Sequence, residues 1–136
     1  MANKRLPFGI LDTSVVIDIG VIAIDALPLQ STISALTLAE LSAGLPAAPD
    51  HATRAIRQRR LQNIEALIEV LPFDTSCARA YASIFAAVHA KGRAPRGSRA
   101  VDYMIAATAL QHRLPLYTRN PKDFEGLTEL IQVVTV

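Results

Sequence analysis

Tryptophan is missing from this 136-residue chain, aromatic residues make up only 5% of it, and Cys77 is its one cysteine. A core built without Trp and with few aromatic rings must be mainly Leu, Ile, Val and Ala. A single thiol excludes an intrachain disulfide and a cysteine-based zinc centre, and it is compatible with a reducing cytosol. Long apolar runs are missing too, because Asp12, Asp18 and Asp25 interrupt the stretches near the N-terminus. That argues against a signal peptide, despite Lys4 and Arg5, and against a membrane-spanning helix, which needs about 20 mainly apolar residues. The expectation is a soluble, cytoplasmic protein with no membrane partner.

Also missing are a glycine-rich phosphate loop, a nucleophile elbow and a dinucleotide-binding glycine fingerprint. His51, His89 and His112 have no metal-ligand spacing to one another, so surface positions are expected. Charge is sparse, at 19%, but the hydrophobic fraction of 51% is ample for a core and far from a disordered composition. The length fits one domain over residues 1–136. The net charge of +2 is only mildly basic. Its distribution says more. Arg54, Arg57, Arg59 and Arg60 share a stretch without an acid, and Arg93, Arg96 and Arg99 precede Asp102.

Short apolar segments alternate with helical patterns. Phe8–Leu11 reads as a buried strand, followed by a helix capped by Asp12 or Thr13 and running to about Ile19. Ser31–Ala35 reads as a strand, Thr37–Ala43 as a helix stopped by Gly44-Leu45-Pro46, and residues 46–50 as a loop. The region 52–69 is helical, with Leu61, Ile64, Leu67 and Ile68 on one stripe. Residues 70–73 read as a strand. Cys77, Ala80, Tyr81, Ile84, Phe85 and Val88 mark an amphipathic helix ending near Lys91. A loop over 93–99, a helix over 101–112, a strand at Leu116-Tyr117, a turn over 120–124 and a last strand over 131–134 complete the chain. This alternation predicts an α/β fold with a central parallel sheet of short strands, flanked by helices on both faces.

Four carboxylates fall at predicted element junctions: Asp12, Glu40, Asp102 and Asp123. Each has an ordinary reading. Asp12 is a plausible helix cap, Glu40 a solvated helix residue, Asp102 a carboxylate at a helix start, favoured by the macrodipole, and Asp123 a turn residue. Together they favour a shared site. Carboxylates at the C-terminal ends of strands in an α/β fold point into the ligand crevice. Several acids there repel one another unless a hard cation joins them. The expected site is therefore a Mg²⁺ centre for phosphodiester chemistry, with Mn²⁺ as a substitute. Ser14, Thr118 and Asn120 stand near the same ends and are candidates to orient a carboxylate or a water.

The segments Ile10-Leu11-Asp12-Thr13-Ser14, Thr37-Leu38-Ala39-Glu40-Leu41, Asp102-Tyr103-Met104-Ile105-Ala106-Ala107 and Thr118-Arg119-Asn120-Pro121-Lys122-Asp123-Phe124 resemble, in order and spacing, the motifs of PIN domains. In size and order the chain is similar to the VapC toxins of bacterial type II toxin–antitoxin pairs. The resemblance implies a Mg²⁺-dependent endoribonuclease with Asp12, Glu40 and Asp102 as acidic residues and Ser14 and Thr118 as polar helpers. Where some members carry an acid directly after Thr-Arg, this chain has Asn120, with Asp123 three residues on. Either Asp123 supplies that charge or Asn120 acts as a neutral ligand. The resemblance also implies homodimerisation and a cognate VapB antitoxin, for which Val15, Val16, Ile19 and Leu45 offer an apolar surface. RNA is the expected substrate, with the arginines guiding its backbone.

Two other classes compete. A haloacid-dehalogenase-like phosphatase needs a second Asp two residues after the first, where this chain has Ser14. A degenerate PIN domain that binds RNA or protein without cutting is favoured only by Asn120.

Overall fold

The computed structural model describes residues 4–93 and 97–136. Pro95 and Arg96, assigned above to a loop, lie outside the described residues. Among the described residues five strands form one sheet: β1 (Phe8–Leu11), β2 (Gln30–Ser34), β3 (Glu69–Leu71), β4 (Leu116–Thr118) and β5 (Val133–Thr135). Their order is β3-β2-β1-β4-β5, and every pairing is parallel. The expected α/β architecture with a central parallel sheet is therefore present. β1 is an apolar run, as expected of a strand in a parallel sheet covered on both faces, whereas β2 is mainly small and hydroxylic, and its buried Thr32 donates to the Gly9 carbonyl at 3.0 Å.

Among the described residues five α-helices do the covering: α1 (Thr13–Ile17), α2 (Ala35–Ala43), α3 (His51–Leu67), α4 (Thr75–Ala90) and α5 (Ser98–His112). Adjacent strand residues point to opposite faces. Ile10 and Leu116 belong to the core under α4 and α5, with Ile84, Val88 and Tyr103. Their neighbours Leu11 and Tyr117 belong to the other core, with Val15, Val16, Leu41 and Ile64. β1 lies at the centre, and Gly9 is there because its neighbours are close. A Cβ at that position would collide with Tyr117 Cε1 and stand 2.8 Å from Tyr117 Cδ1.

Several expectations shift. α1 ends at Ile17 rather than Ile19, because Asp18 leaves helical geometry and its side chain pairs with Arg119 at 3.4 Å. Val15 and Val16 are fully buried, so they form core rather than a docking surface. Burying each is worth roughly 1.5–2 kcal/mol. α5 starts at Ser98, three residues early, so Asp102 is its fifth residue and lies beyond the first turn. The macrodipole reading of Asp102 weakens accordingly, since that field fades within one turn. Ile131 is buried, but its N–H bonds back to Leu127 in a turn, and the last strand begins at Val133. Among the described residues no helix is long and apolar enough to cross a membrane.

From β1 the chain builds outward through β2 and β3, then returns to place β4 on the other side of β1. The crevice between the C-terminal ends of β1 and β4 is thus the topological switch point, where ligands bind in open α/β sheets. Asp12 follows β1 there, and Thr118 closes β4.

Candidate active site

Asp12 caps α1 and is only 4% exposed, so its carboxylate depends on donors supplied by the protein. Oδ1 accepts the Thr13 N–H at 2.9 Å. Oδ2 accepts two hydroxyls, Ser14 Oγ and Thr118 Oγ1, each at 2.9 Å. Both hydroxyls in turn accept a backbone amide: Ser14 Oγ takes Arg119 N–H at 3.1 Å, and Thr118 Oγ1 takes Asn120 N–H at 3.0 Å. An ionised carboxylate has about four lone-pair sites. Donors among the described residues occupy three of them, and the fourth is on Oδ1. Asp12 is thereby oriented to give one oxygen to a ligand.

Asp102 is half-buried on α5. Burial raises its carboxyl to about 7, and the charges of Asp12, Asp123 and Glu40 push in the same direction. These carboxylates therefore share one electrostatic neighbourhood. The ion pairs among the described residues, Arg93–Glu125 and Arg119–Asp18, involve none of the four. Asp123 sits on a 3₁₀ turn over Pro121–Phe124, partly buried. Asn120 is exposed, and its bond to the site runs through its backbone rather than its amide group.

Glu40 is exposed on α2, so the solvated-helix reading describes its position. It is nevertheless tied to the site, because Thr13 Oγ1 donates to its Oε1 at 2.6 Å. Thr13 also contacts Thr37 Oγ1 at 3.0 Å. Thr13 and Thr37 are absent from the sequence-based set. Both lie inside quoted motifs, but a contact across 24 residues has no local signature.

The set of donors suits a hard divalent cation: carboxylate oxygens, no thiolate and no imidazole. Among the described residues no three acidic, His or Cys side chains stand close enough to enclose a metal.

The arginines divide by role. Arg57 donates to the Gly44 carbonyl at 2.8 Å and fixes the end of α2. Arg93 donates to the Lys122 carbonyl at 3.1 Å and pairs with Glu125. Arg54, Arg59 and Arg99 are exposed. Arg96 lies outside the described residues. All three histidines are exposed, as expected, and His89 stacks on Phe85 with ring centroids 5.6 Å apart.

The PIN-domain family model matches residues 10–129. The VapC ribonuclease Y4jK of Sinorhizobium fredii is 37% identical over 129 residues, covering 86% of this chain and 90% of that protein. Ribonuclease VapC5 of Mycobacterium tuberculosis is 38% identical over 124 residues, covering 88% and 87%. Among solved structures, VapBC-5 of M. tuberculosis, a member of the VapBC family of toxin–antitoxin systems, superposes with a TM-score of 0.81 at 32% identity over 96% of this chain and 99% of that one. FitAcB of Neisseria gonorrhoeae gives 0.75 at 31% identity, over 93% and 96%. An acidic crevice at the switch point of a five-stranded parallel sheet, matched by sequence and by shape, places the chain in the PIN-domain family, among the VapC-type ribonucleases.

Proposed function

We propose that this protein is a divalent-metal-dependent endoribonuclease, working as the toxin of a VapBC-type pair, with Asp12, Glu40, Asp102 and Asp123 as its acidic site. The observation that carries the reading is the elevated carboxyl of Asp102, raised by burial and by the other three acids at a crevice where Asp12 keeps one lone pair free. Mg²⁺ is the preferred ion, with Mn²⁺ as substitute, and a bound ion supplies Lewis acidity and a source of hydroxide near neutral pH.

The chain's own residues hold and aim that chemistry. Asp12 Oδ1 and the Asp102 carboxylate would hold the ion, and Glu40 and Asp123 would add negative charge around it. Ser14 and Thr118 keep Asp12 in one rotamer and tie it to the loop that carries Asn120 and Asp123. Arg54, Arg59 and Arg99 attract the RNA backbone. The whole chain, 1–136, acts as one cytoplasmic domain and forms a homodimer.

The partner is a VapB-type antitoxin. Its docking place moves from the buried Val15 and Val16 to a cleft of about 270 Å³ lined by Ile19, Ile56, Arg59, Arg60, Asn63 and Ile64. An apolar floor with basic walls suits an amphipathic segment carrying acidic groups.

The test is cleavage of total RNA by the purified protein with Mg²⁺, with Mn²⁺ and with EDTA, alongside Asp12→Asn. Cleavage that needs the metal and disappears in the variant supports the reading. RNA binding without cleavage in any metal favours the non-catalytic alternative.

A further inference from the structure

The Thr13 hydroxyl bridges two side chains of α2. Its Oγ1 stands 2.6 Å from Glu40 Oε1 and 3.0 Å from Thr37 Oγ1. A threonine hydroxyl has one proton, and an ionised carboxylate only accepts. The Thr13 proton therefore goes to Glu40, and the contact with Thr37 must run the other way, with Thr37 donating. The result is a directed chain from Thr37 to Thr13 to Glu40. Thr37 is fully buried, whereas Glu40 is exposed three residues further along the same helix. Residues three apart share a helix face. The chain runs from a fixed interior anchor to a side chain that water alone would leave mobile.

Resting on the acidic site proposed above, we infer that Thr37 and Thr13 form a two-hydroxyl relay that aims Glu40 at the metal, which makes Thr13 a positioning residue of the nuclease. A glutamate free in solvent samples many rotamers and loses that entropy when it engages a ligand. A short hydrogen bond to its charged form restricts it beforehand. Thr13 follows Asp12 directly, so one turn of chain aligns two carboxylates: its backbone N–H holds Asp12, and its hydroxyl holds Glu40. A role confined to docking α1 on α2 would affect folding but would not depend on Glu40.

The experiment measures Mn²⁺ affinity by calorimetry on the full chain without RNA, with cleavage as a second readout. Thr13→Val weakens Mn²⁺ binding about 10-fold, the scale of a lost hydrogen bond to a charged group. Thr13→Ser keeps the hydroxyl and stays within about 2-fold of the parent, since the donor is retained. Thr37→Val, which removes only the anchor, costs about 3-fold, near the low end for one neutral hydrogen bond. In a Glu40→Gln background Thr13→Val has no further effect.

Normal affinity in Thr13→Val, with Glu40→Gln weakened, overturns the relay and leaves the acidic site standing. Unchanged affinity and cleavage in Glu40→Gln overturn the role of Glu40, and the relay with it. A loss in Thr13→Val that persists beside Glu40→Gln assigns Thr13 to helix docking and also overturns the relay. If Thr13→Val does not fold, Thr37→Val carries the same cycle, and its loss must vanish in the Glu40→Gln background.

Discussion

Thr118 donates its hydroxyl to Asp12 Oδ2 at 2.9 Å, joining side chains 106 positions apart in the sequence. The parallel register that sets Leu11 beside Tyr117 delivers the next residue of each strand to the same spot. Thr118 is fully buried, so its bond is shielded from water.

Replacing Thr118 by Val keeps the shape but leaves the Asp12 oxygen short of a donor and the Asn120 amide without its acceptor. The expected loss is about 1–3 kcal/mol of folding stability, the cost of stranding a buried polar group. Urea titration measures it, and Thr118→Ser recovers most of it. A Val variant as stable as the parent would show that water replaces the hydroxyl.

Asp12→Asn and Asp102→Asn each remove charge from the metal while keeping side-chain size. Cleavage should fall by at least about 100-fold, the scale of deleting one key electrostatic group. Circular dichroism should show the fold unchanged. Near-normal cleavage by either pure variant excludes the proposed site.

Asp102 gives the metal-free protein an unusual pH dependence. Its carboxyl stands at about 7 in the fold, above the ordinary 3.8 that an unfolded chain would show. Between these values the folded state holds the proton and the unfolded state does not, so stability falls as pH rises from near 4 to near 7. Below that window both states are protonated, and above it the full penalty is present. Divalent metal binding requires the ionised form, so affinity should rise through pH 7, and metal should restore the stability lost there. Melting curves at several pH values, with Mn²⁺ and with EDTA, measure both effects. Asp102→Asn should flatten the metal-free dependence; an equally steep curve in that variant assigns it to another group.

Asp123 and Asn120 compete for the fourth acidic position. Asp123 adds to the field on Asp102, whereas Asn120 reaches the site through its backbone. Asp123→Asn should therefore impair cleavage far more than Asn120→Ala. Activity measured across a Mg²⁺ titration separates weakened binding from lost chemistry. The reverse order would make Asn120 the ligand, and full activity in both would leave a three-carboxylate site.

Gly9→Ala tests the packing that holds β1 against β4. The added methyl meets the Tyr117 ring, with Pro28 Cγ at 3.0 Å on another side. Overpacking of this kind costs typically 1–3 kcal/mol. Tm should fall, while cleavage per folded molecule stays normal.

The strands and both-face covering are legible in the sequence because short apolar segments alternate with helical periods. The acids are legible too, since each sits beside an abrupt change of pattern. Asp102 is harder to place, because the polar residues before it conceal three further helical positions of α5. Val15 and Val16 mislead for another reason: in a helix of only five residues, periodicity does not reveal which side faces the core. Thr13 and Thr37 escape notice because the contacts of the Thr13 hydroxyl with Thr37 and Glu40 arise only when α1 and α2 come together. Asp123 against Asn120 stays open in the sequence, since spacing alone does not distinguish a side chain turned inward from one turned out.

The position of β4 between β1 and β5 also sets a timetable for synthesis. A ribosome releases Asp12 and Glu40 early, but Thr118 comes late, and the strand that flanks β4 on its far side, Val133–Thr135, comes later still. Contacts between distant parts of a chain form slowly, because closing a long loop costs entropy first. Until β4 and β5 have been made, Asp12 has neither the Thr118 hydroxyl nor the loop bearing Asp123. The hydrogen-bond frame around Asp12 is thus finished by residues far downstream of it, so the site becomes complete only when β4 has joined β1.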